Sequence, residues 1–282
     1  ISACLVGSEM CIRDRLNMNI KLVSQDGSGI TADTETVYVS AALDENNPDI
    51  KAARALNIPV KQRSDLLAEV FHGYPFGIAV GGTSGKTTTT AMIGYIFDML
   101  GQKPCLVNGG MLRNYEQLKG LPNFIYNEGR FCIIEADESD GSICKYHPQI
   151  ALVNNISHDH TSMENLIGYF QTFADNTKGT LVVNGDCELT RNLKHDRKTT
   201  FSVKDPAADF FADGIKCLPD GVEYNFRGQT FRLNLFGAFN VSNALAAIAV
   251  CAEAGLDPLA AAKTLEGFSG IKRRLEIVGT TG

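Results

Sequence analysis

No run in this 282-residue chain is apolar for anything near the roughly 18 residues a membrane-crossing helix needs, so no membrane partner is expected. Dense clusters of Lys or Arg are also missing. With 26 basic against 32 acidic residues the net charge is −6, which leaves no electrostatic footprint for nucleic acid. If a polyphosphate is bound, the attraction must be local. The eight cysteines (4, 11, 105, 132, 144, 187, 217 and 251) form no C-x-x-C pair, and several sit in apolar runs such as "FCIIEA". They read as buried thiols of a reducing compartment, and a cytoplasmic location is expected. The opening "ISACLVGSEMCIRDRL" lacks the basic start and long apolar core of a signal peptide. Residues 1–15 read as a non-native leader and are set aside. Internal repeats and low-complexity segments are absent too.

What remains is an ordinary globular composition, 44% hydrophobic and 21% charged, long enough for about two domains. From Asn19 onward the pattern alternates: strand-like "IKLV" and "TVYVSAA", a helical stretch from Asp49 to Leu56, short "IPV", then helical "SDLLAEVFHG". Alternation of this kind predicts an α/β fold with a partly parallel sheet. A linker near Gly73 to Pro75 leads into a larger unit, giving boundaries at 16–73 and 74–275, with 276–282 beyond them. The strands "FCIIEA", "IALVNN" and "TLVVN" are continuously apolar, as expected when helices cover both sheet faces. The alternating "VEYNFRGQTFRLNLF" predicts a small antiparallel addition. Two helices follow, the second with Asp257 as N-cap and Pro258 at its first position.

Three stretches carry chemistry. In "IAVGGTSGKTTTTAMIG", Ile78 to Gly94, a β-branched run enters a glycine turn that opens a helix, and a strand, turn and helix N-terminus of this kind collect backbone N–H groups around an anion. Lys86 would reach the β- and γ-phosphates, and the Thr87 hydroxyl would serve Mg²⁺. The common spacing also asks for a glycine five residues before Gly85, where Val80 stands. In "FCIIEADESDGS" an apolar strand ends in carboxylates. An acidic strand end alone is more often a solvated loop or cap, but its place two elements after the glycine loop favours Glu135 as a Mg²⁺ ligand. In "IALVNNISHDHT" a further strand delivers Asn155, His158, Asp159 and His160 to the same edge. H-x-H invites zinc, yet no thiolate pair or downstream motif completes such a site. A histidine on a second metal of a phosphoryl-transfer centre fits the context better.

The blocks "GTSGKTTTT" (82–90), "EADESDGS" (135–142), "NNISHDH" (154–160), "FGAFNVSNALAA" (236–247) and "IKRRLE" (271–276), in this order, resemble the ATP-binding domain of the Mur ligases. Within that family the alanine-adding and murein-peptide-recycling branches are the most similar. Upstream, "VSAALDENNPDIKAARALNIPVKQRSDLLAEV" is similar to the second half of the family's UDP-substrate domain. The resemblance implies a P-loop central domain with a mostly parallel sheet flanked by helices, beside a partial Rossmann-like N-terminal domain. It also implies an ATP-dependent ligase of peptidoglycan-precursor synthesis. Such an enzyme activates the carboxylate of UDP-N-acetylmuramate as an acyl phosphate for attack by an amino acid, L-alanine first among the choices, or a peptide.

By motif position, the resemblance makes Gly82, Thr83, Ser84, Gly85, Lys86, Thr87 and Thr88, with Asn155, the phosphate-binding set. Thr87 and Glu135 would serve one Mg²⁺ and His160 a second. Asn240 and Asn243 would lie on the adenine side, and Arg274 would approach the phosphates from a hinge that residues 276–282 begin. Against the family pattern, the UDP-binding glycine turn is missing, as is the C-terminal domain. "TSMEN" follows His160, and the late Lys178 receives no role as a modified lysine. For the polypeptide as given, nucleotide binding without ligase turnover is the expectation. A deviant-Walker partition ATPase is disfavoured because Gly81 stands where that group has a lysine. Folate and cyanophycin ligases are disfavoured by "EADESDGS".

Overall fold

The computed structural model describes residues 21, 23–40, 43–116, 122–158 and 162–274, in two compact units divided between Val70 and Phe71. In the first unit, β1 (Val37–Val39) pairs in parallel with β2 (Val60–Gln62), and α1 (Pro48–Ala55) connects them. Asn47 caps α1 by accepting from the Asp49 N–H, with Pro48 in the first turn where no amide donor is needed. Val37, Ala53 and Ile58 form its small core. The strand expected at 20–23 is not found in Lys21 or Val23, the two described residues of that stretch. Val23 packs instead on the turn at Gly29, where its Cγ2 fills the place a Cβ would take. Helix α2 (Arg63–His72) runs across the division between the units.

In the second unit the order is β3 (Phe76–Gly81), α3 (Lys86–Met99), β4 (Cys105–Val107), β5 (Phe124–Ile125), β6 (Phe131–Glu135), β7 (Ile150–Val153), α4 (Met163–Asp175), β8 (Thr180–Asn184). Then come the short α5 (Glu188–Arg191), β9 (Lys198–Ser202), β10 (Phe210–Leu218), β11 (Gly221–Phe226), β12 (Gln229–Leu233), α6 (Phe239–Glu253) and α7 (Pro258–Leu265). Among the described residues the strands make one ten-stranded sheet ordered β12-β11-β10-β9-β8-β7-β3-β6-β4-β5. It is parallel from β4 through β10 and antiparallel at its two ends. The mostly parallel α/β architecture and the antiparallel addition are both as the sequence predicts.

Helices cover both faces, which is why the central strands are apolar at consecutive positions between their ends rather than at alternate ones. Ile78, Val80, Ile133, Leu152 and Val182 face one core together with α3, α6 and α7. On the other side Gly81 leaves room for Ile143, Phe170 and Phe173, the last two from α4. Helix α6 is buried from Val241 to Cys251 except for half-buried Ser242, as a helix apolar on all sides should be. Asp257 caps α7 by accepting from the Leu259 N–H. Arg227 and Gly228, both at positive φ, make the two-residue turn between β11 and β12. Among the described residues no helix is long and apolar enough to cross a membrane.

Candidate nucleotide-binding site

Strand β3 lies at the point where the sheet order reverses: β6 and β4 continue to one side, β7, β8 and β9 to the other. The loops leaving β3, β6 and β7 therefore converge at one carboxyl edge, the position where open α/β sheets bind ligands. Val80 remains inside β3 and is fully buried, so the strand runs on to Gly81 and the loop starts later than the common glycine spacing supposes. Gly82 (φ +129°) passes so close to β7 that a Cβ would lie 3.1 Å from the backbone nitrogens of both Asn154 and Asn155. Gly85 (φ +82°) is the N-cap of α3 and offers no side-chain acceptor to the first turn. The positive end of a 14-residue helix is thus open toward the loop.

The loop is tied to the segment after β7. Asn155 accepts from the Ser84 N–H (2.9 Å) and the Thr83 hydroxyl (2.7 Å) and donates to the Ser84 carbonyl (2.9 Å). The Ser157 N–H donates to Thr83 Oγ1 at 3.1 Å. Beneath the loop, Asn154 donates to Thr89 Oγ1 (2.8 Å) and, over a longer 3.5 Å, to Asn243 Oδ1. Asn243 donates to Asn240 (3.0 Å), which donates to the Phe236 carbonyl (2.8 Å). This relay of buried amides joins the start of α6 to the start of α3.

Two carboxylates approach from the end of β6. Glu135, half-buried, accepts from the Thr87 hydroxyl (2.9 Å) and from the Gly109 N–H (2.8 Å). Glu138, buried, accepts from the Lys86 ammonium at 2.9 Å, while the same ammonium donates to the Gly82 carbonyl at 2.8 Å. Burial pushes the Glu138 carboxyl above the ordinary carboxylate range, against the opposite pull of Lys86. A hydroxyl beside a carboxylate is the hard-oxygen set that Mg²⁺ takes, so Thr87 and Glu135 fit that ion.

Next to the loop is a cavity of about 540 Å³. Ser84, Gly85, Thr88 and Asn155 line its polar side, and Leu235, Phe236, Phe239 and Ile271 its apolar side. Phe239 is 56% exposed, a wide aromatic face at the cavity mouth. Arg274 also lines the cavity and is exposed. Its segment is fixed to the rest of the unit by Arg113 N–H to the Gly270 carbonyl (3.0 Å) and Lys272 N–H to the Met111 carbonyl (2.9 Å).

The structure brings Gly82, Thr83, Ser84, Gly85, Lys86, Thr87, Thr88, Glu135, Asn155, Asn240, Asn243 and Arg274 to one edge of the sheet. His160 and Asp159 lie outside the described residues. Sequence reasoning did not single out three groups of the site: Glu138, Asn154 and the Gly109 amide. The first two stand inside the blocks "EADESDGS" and "NNISHDH", so the blocks marked the places but not the partners.

A strand, glycine loop, lysine and helix at the switch point of a mostly parallel sheet, with a carboxylate ending the neighbouring strand, define a P-loop nucleotide-binding domain. The family model "Mur ligase middle domain" matches residues 80–251, and the chain belongs to the Mur ligase family. The chain is 37% identical over 276 residues to UDP-N-acetylmuramate--L-alanine ligase of Acaryochloris marina, covering 93% of this chain and 55% of the relative. It is 38% identical over 251 residues to the ligase of the same name from Thermosynechococcus vestitus, covering 85% of this chain and 51% of the relative. The chain thus spans about half the length of the curated relatives it matches. Among solved structures, UDP-N-acetylmuramate-alanine ligase of Thermotoga maritima superposes with a TM-score of 0.84 at 26% identity, covering 95% of this chain and 63% of that one.

Proposed function

We propose that this chain is the ATP-binding part of a cytoplasmic ligase that joins UDP-N-acetylmuramate to L-alanine in peptidoglycan-precursor synthesis. The observation that carries the proposal is the Lys86 loop, with Thr87 and Glu135 in contact at the switch point of the sheet. Identities of 37–38% to curated L-alanine ligases support alanine over a murein peptide as the second substrate. In this reading residues 16–73 belong to a UDP-substrate domain, 74–275 to the ATP-binding domain, and 276–282 open a hinge.

The Thr83 and Ser84 amides are held by Asn155, so the amides of Gly85, Lys86 and Thr87 at the start of α3, with the Lys86 ammonium, hold the β- and γ-phosphates, while the cavity between Phe236, Phe239 and Asn240 takes the base. Thr87 and Glu135 would hold Mg²⁺, with His160 serving a second ion. Bound there, the metal screens phosphate charge from an incoming carboxylate. A muramoyl carboxylate oxygen attacks the γ-phosphorus, the bond to ADP breaks, and an acyl phosphate forms. The amine of alanine then attacks the acyl carbon, inorganic phosphate leaves, the nitrogen loses a proton, and the amide remains. Arg274, at the cavity rim, adds positive charge near the phosphates.

Calorimetric titration of Mg·ATP tests the site. A charge-assisted hydrogen bond contributes about 1.5–3 kcal/mol, so Lys86→Ala should weaken binding by roughly tenfold or more. Equal affinities would remove the assignment. The reaction is tested on the protein that carries this chain, by mass spectrometry of mixtures with UDP-N-acetylmuramate, ATP and either L-alanine or the murein tripeptide. A product with the tripeptide alone would overturn the alanine assignment.

A further inference from the structure

Resting on the reading that this loop holds ATP, we propose that Glu138 is a positioning residue: it shares the Lys86 ammonium with the nucleotide phosphates and sets how tightly they are held. An ammonium has three N–H donors. One goes to the Gly82 carbonyl at 2.8 Å and one to Glu138 Oε1 at 2.9 Å, which leaves one for a phosphate oxygen. The Gly82 contact folds the lysine back over its own loop, and the Glu138 contact fixes its head from the side. Glu138 is itself placed by a tight turn, in which the Gly141 N–H donates to the Glu138 carbonyl (3.1 Å) and the Ile143 N–H to the Asp137 carbonyl (2.8 Å).

The pair is not built as a structural ion pair. The Glu138 side chain is 3% exposed and the Lys86 side chain 14%, yet Glu138 Oε2 is buried with no hydrogen-bond partner. A buried carboxylate kept for stability has its remaining lone pairs satisfied, because an uncompensated oxygen keeps its desolvation cost. Glu135, at the end of the strand that leads into this turn, has a donor on each oxygen. Glu138 instead places an incompletely neutralised negative charge beside the main phosphate-binding cation, where low polarizability strengthens its repulsion of phosphate. Its effect on the nucleotide is therefore a brake on affinity.

A purely structural anchor would have the opposite sign, since removing it would disorder Lys86 and weaken binding. The experiment measures Mg·ATP and Mg·ADP affinity by calorimetry, with melting temperatures, for the chain and its Glu138→Gln and Glu138→Asp variants. Glu138→Gln should bind both nucleotides about three- to tenfold more tightly, and Glu138→Asp, which withdraws the charge by one methylene, should fall between. In a Lys86→Ala background the Glu138→Gln gain should shrink below about twofold, because the effect passes through the lysine. Unchanged or weaker binding by Glu138→Gln at a melting temperature no lower than that of the original chain overturns the proposal. If that variant does not fold, Glu138→Asp binding no more tightly than the original chain overturns it. Failure of the original chain to bind Mg·ATP more tightly than Lys86→Ala would overturn the nucleotide site itself, a separate result.

Discussion

Replacing Gly85 by alanine tests whether the loop geometry or only its flexibility matters. Gly85 sits at φ +82°, and an L-residue in the left-handed region costs roughly 1–2 kcal/mol. A Cβ there would lie 2.7 Å from Asn243 Oδ1 and 2.8 Å from Asn154 Nδ2, closer than real Cβ contacts come. Both amides must shift, and each is engaged below the loop, Asn154 with Thr89 and Asn243 with Asn240. Losing two such bonds adds about 0.5–1.5 kcal/mol each, for a total near 2–5 kcal/mol. Gly101 is the control: it has φ +74° and nothing within 4 Å of its Cβ position, so Gly101→Ala carries the strain alone. Urea unfolding followed by far-UV circular dichroism gives both destabilisations, and calorimetry gives Mg·ATP affinity. Gly85→Ala should be the more destabilised of the two and should lose most nucleotide binding, while Gly101→Ala keeps it. If the two destabilisations agree within about 0.5 kcal/mol and both variants bind ATP normally, the crowding argument is wrong.

Glu135→Ala removes the acceptor of both the Thr87 hydroxyl and the Gly109 N–H, so the enhancement of ATP binding by Mg²⁺ should largely disappear. Titrations with and without the metal decide this, and an undiminished Mg²⁺ enhancement would deny Glu135 the ligand role. Burial raises the Glu138 carboxyl above its ordinary 4.5, so the folded chain binds that proton more tightly than the unfolded one. The stabilisation this provides is complete below about pH 4.5 and is lost as pH rises through the raised value. Relative to the original chain, Glu138→Gln should therefore gain stability from pH 4.5 toward neutrality; parallel urea midpoints across that interval would refute it.

Much of this was legible because it is local. Uninterrupted apolar runs identified β6, β7 and β8 as interior strands, Asp257-Pro258 marked the start of α7, and Gly85-Lys86-Thr87 marked a helix opening at a glycine turn. Partnerships across the fold were not legible. Lys86 meets Glu138 across 52 positions, and Asn154 meets Thr89 and Asn243 across 65 and 89. Periodicity reports which face a residue occupies, and nothing in it names the neighbour on the next strand. The departure at Val80 illustrates the limit: a spacing rule treats it as a missing glycine, whereas β3 needs a buried aliphatic there to continue its core face.

Two carboxylates three residues apart come to differ because β6 stops between them. Glu135 is the last residue of the strand, so the ladder fixes it at the edge, opposite Val80 of β3 and within reach of Thr87. Its partners are an O–H and an N–H, both uncharged, so its negative charge remains available to a divalent cation. Glu138 lies in the turn beyond, out of register with the sheet, and that turn carries it to the one lysine of the loop. There its charge is already opposed by an ammonium, and burial makes it a poor host for further charge. In a chain of net charge −6, attraction for a polyphosphate has to be local, and the proposed site would assemble it from Lys86, Arg274 and the open end of α3. In the proposed reading, one carboxylate placed to recruit a cation and the other to temper the lysine would let the same short loop both attract phosphate and let it go.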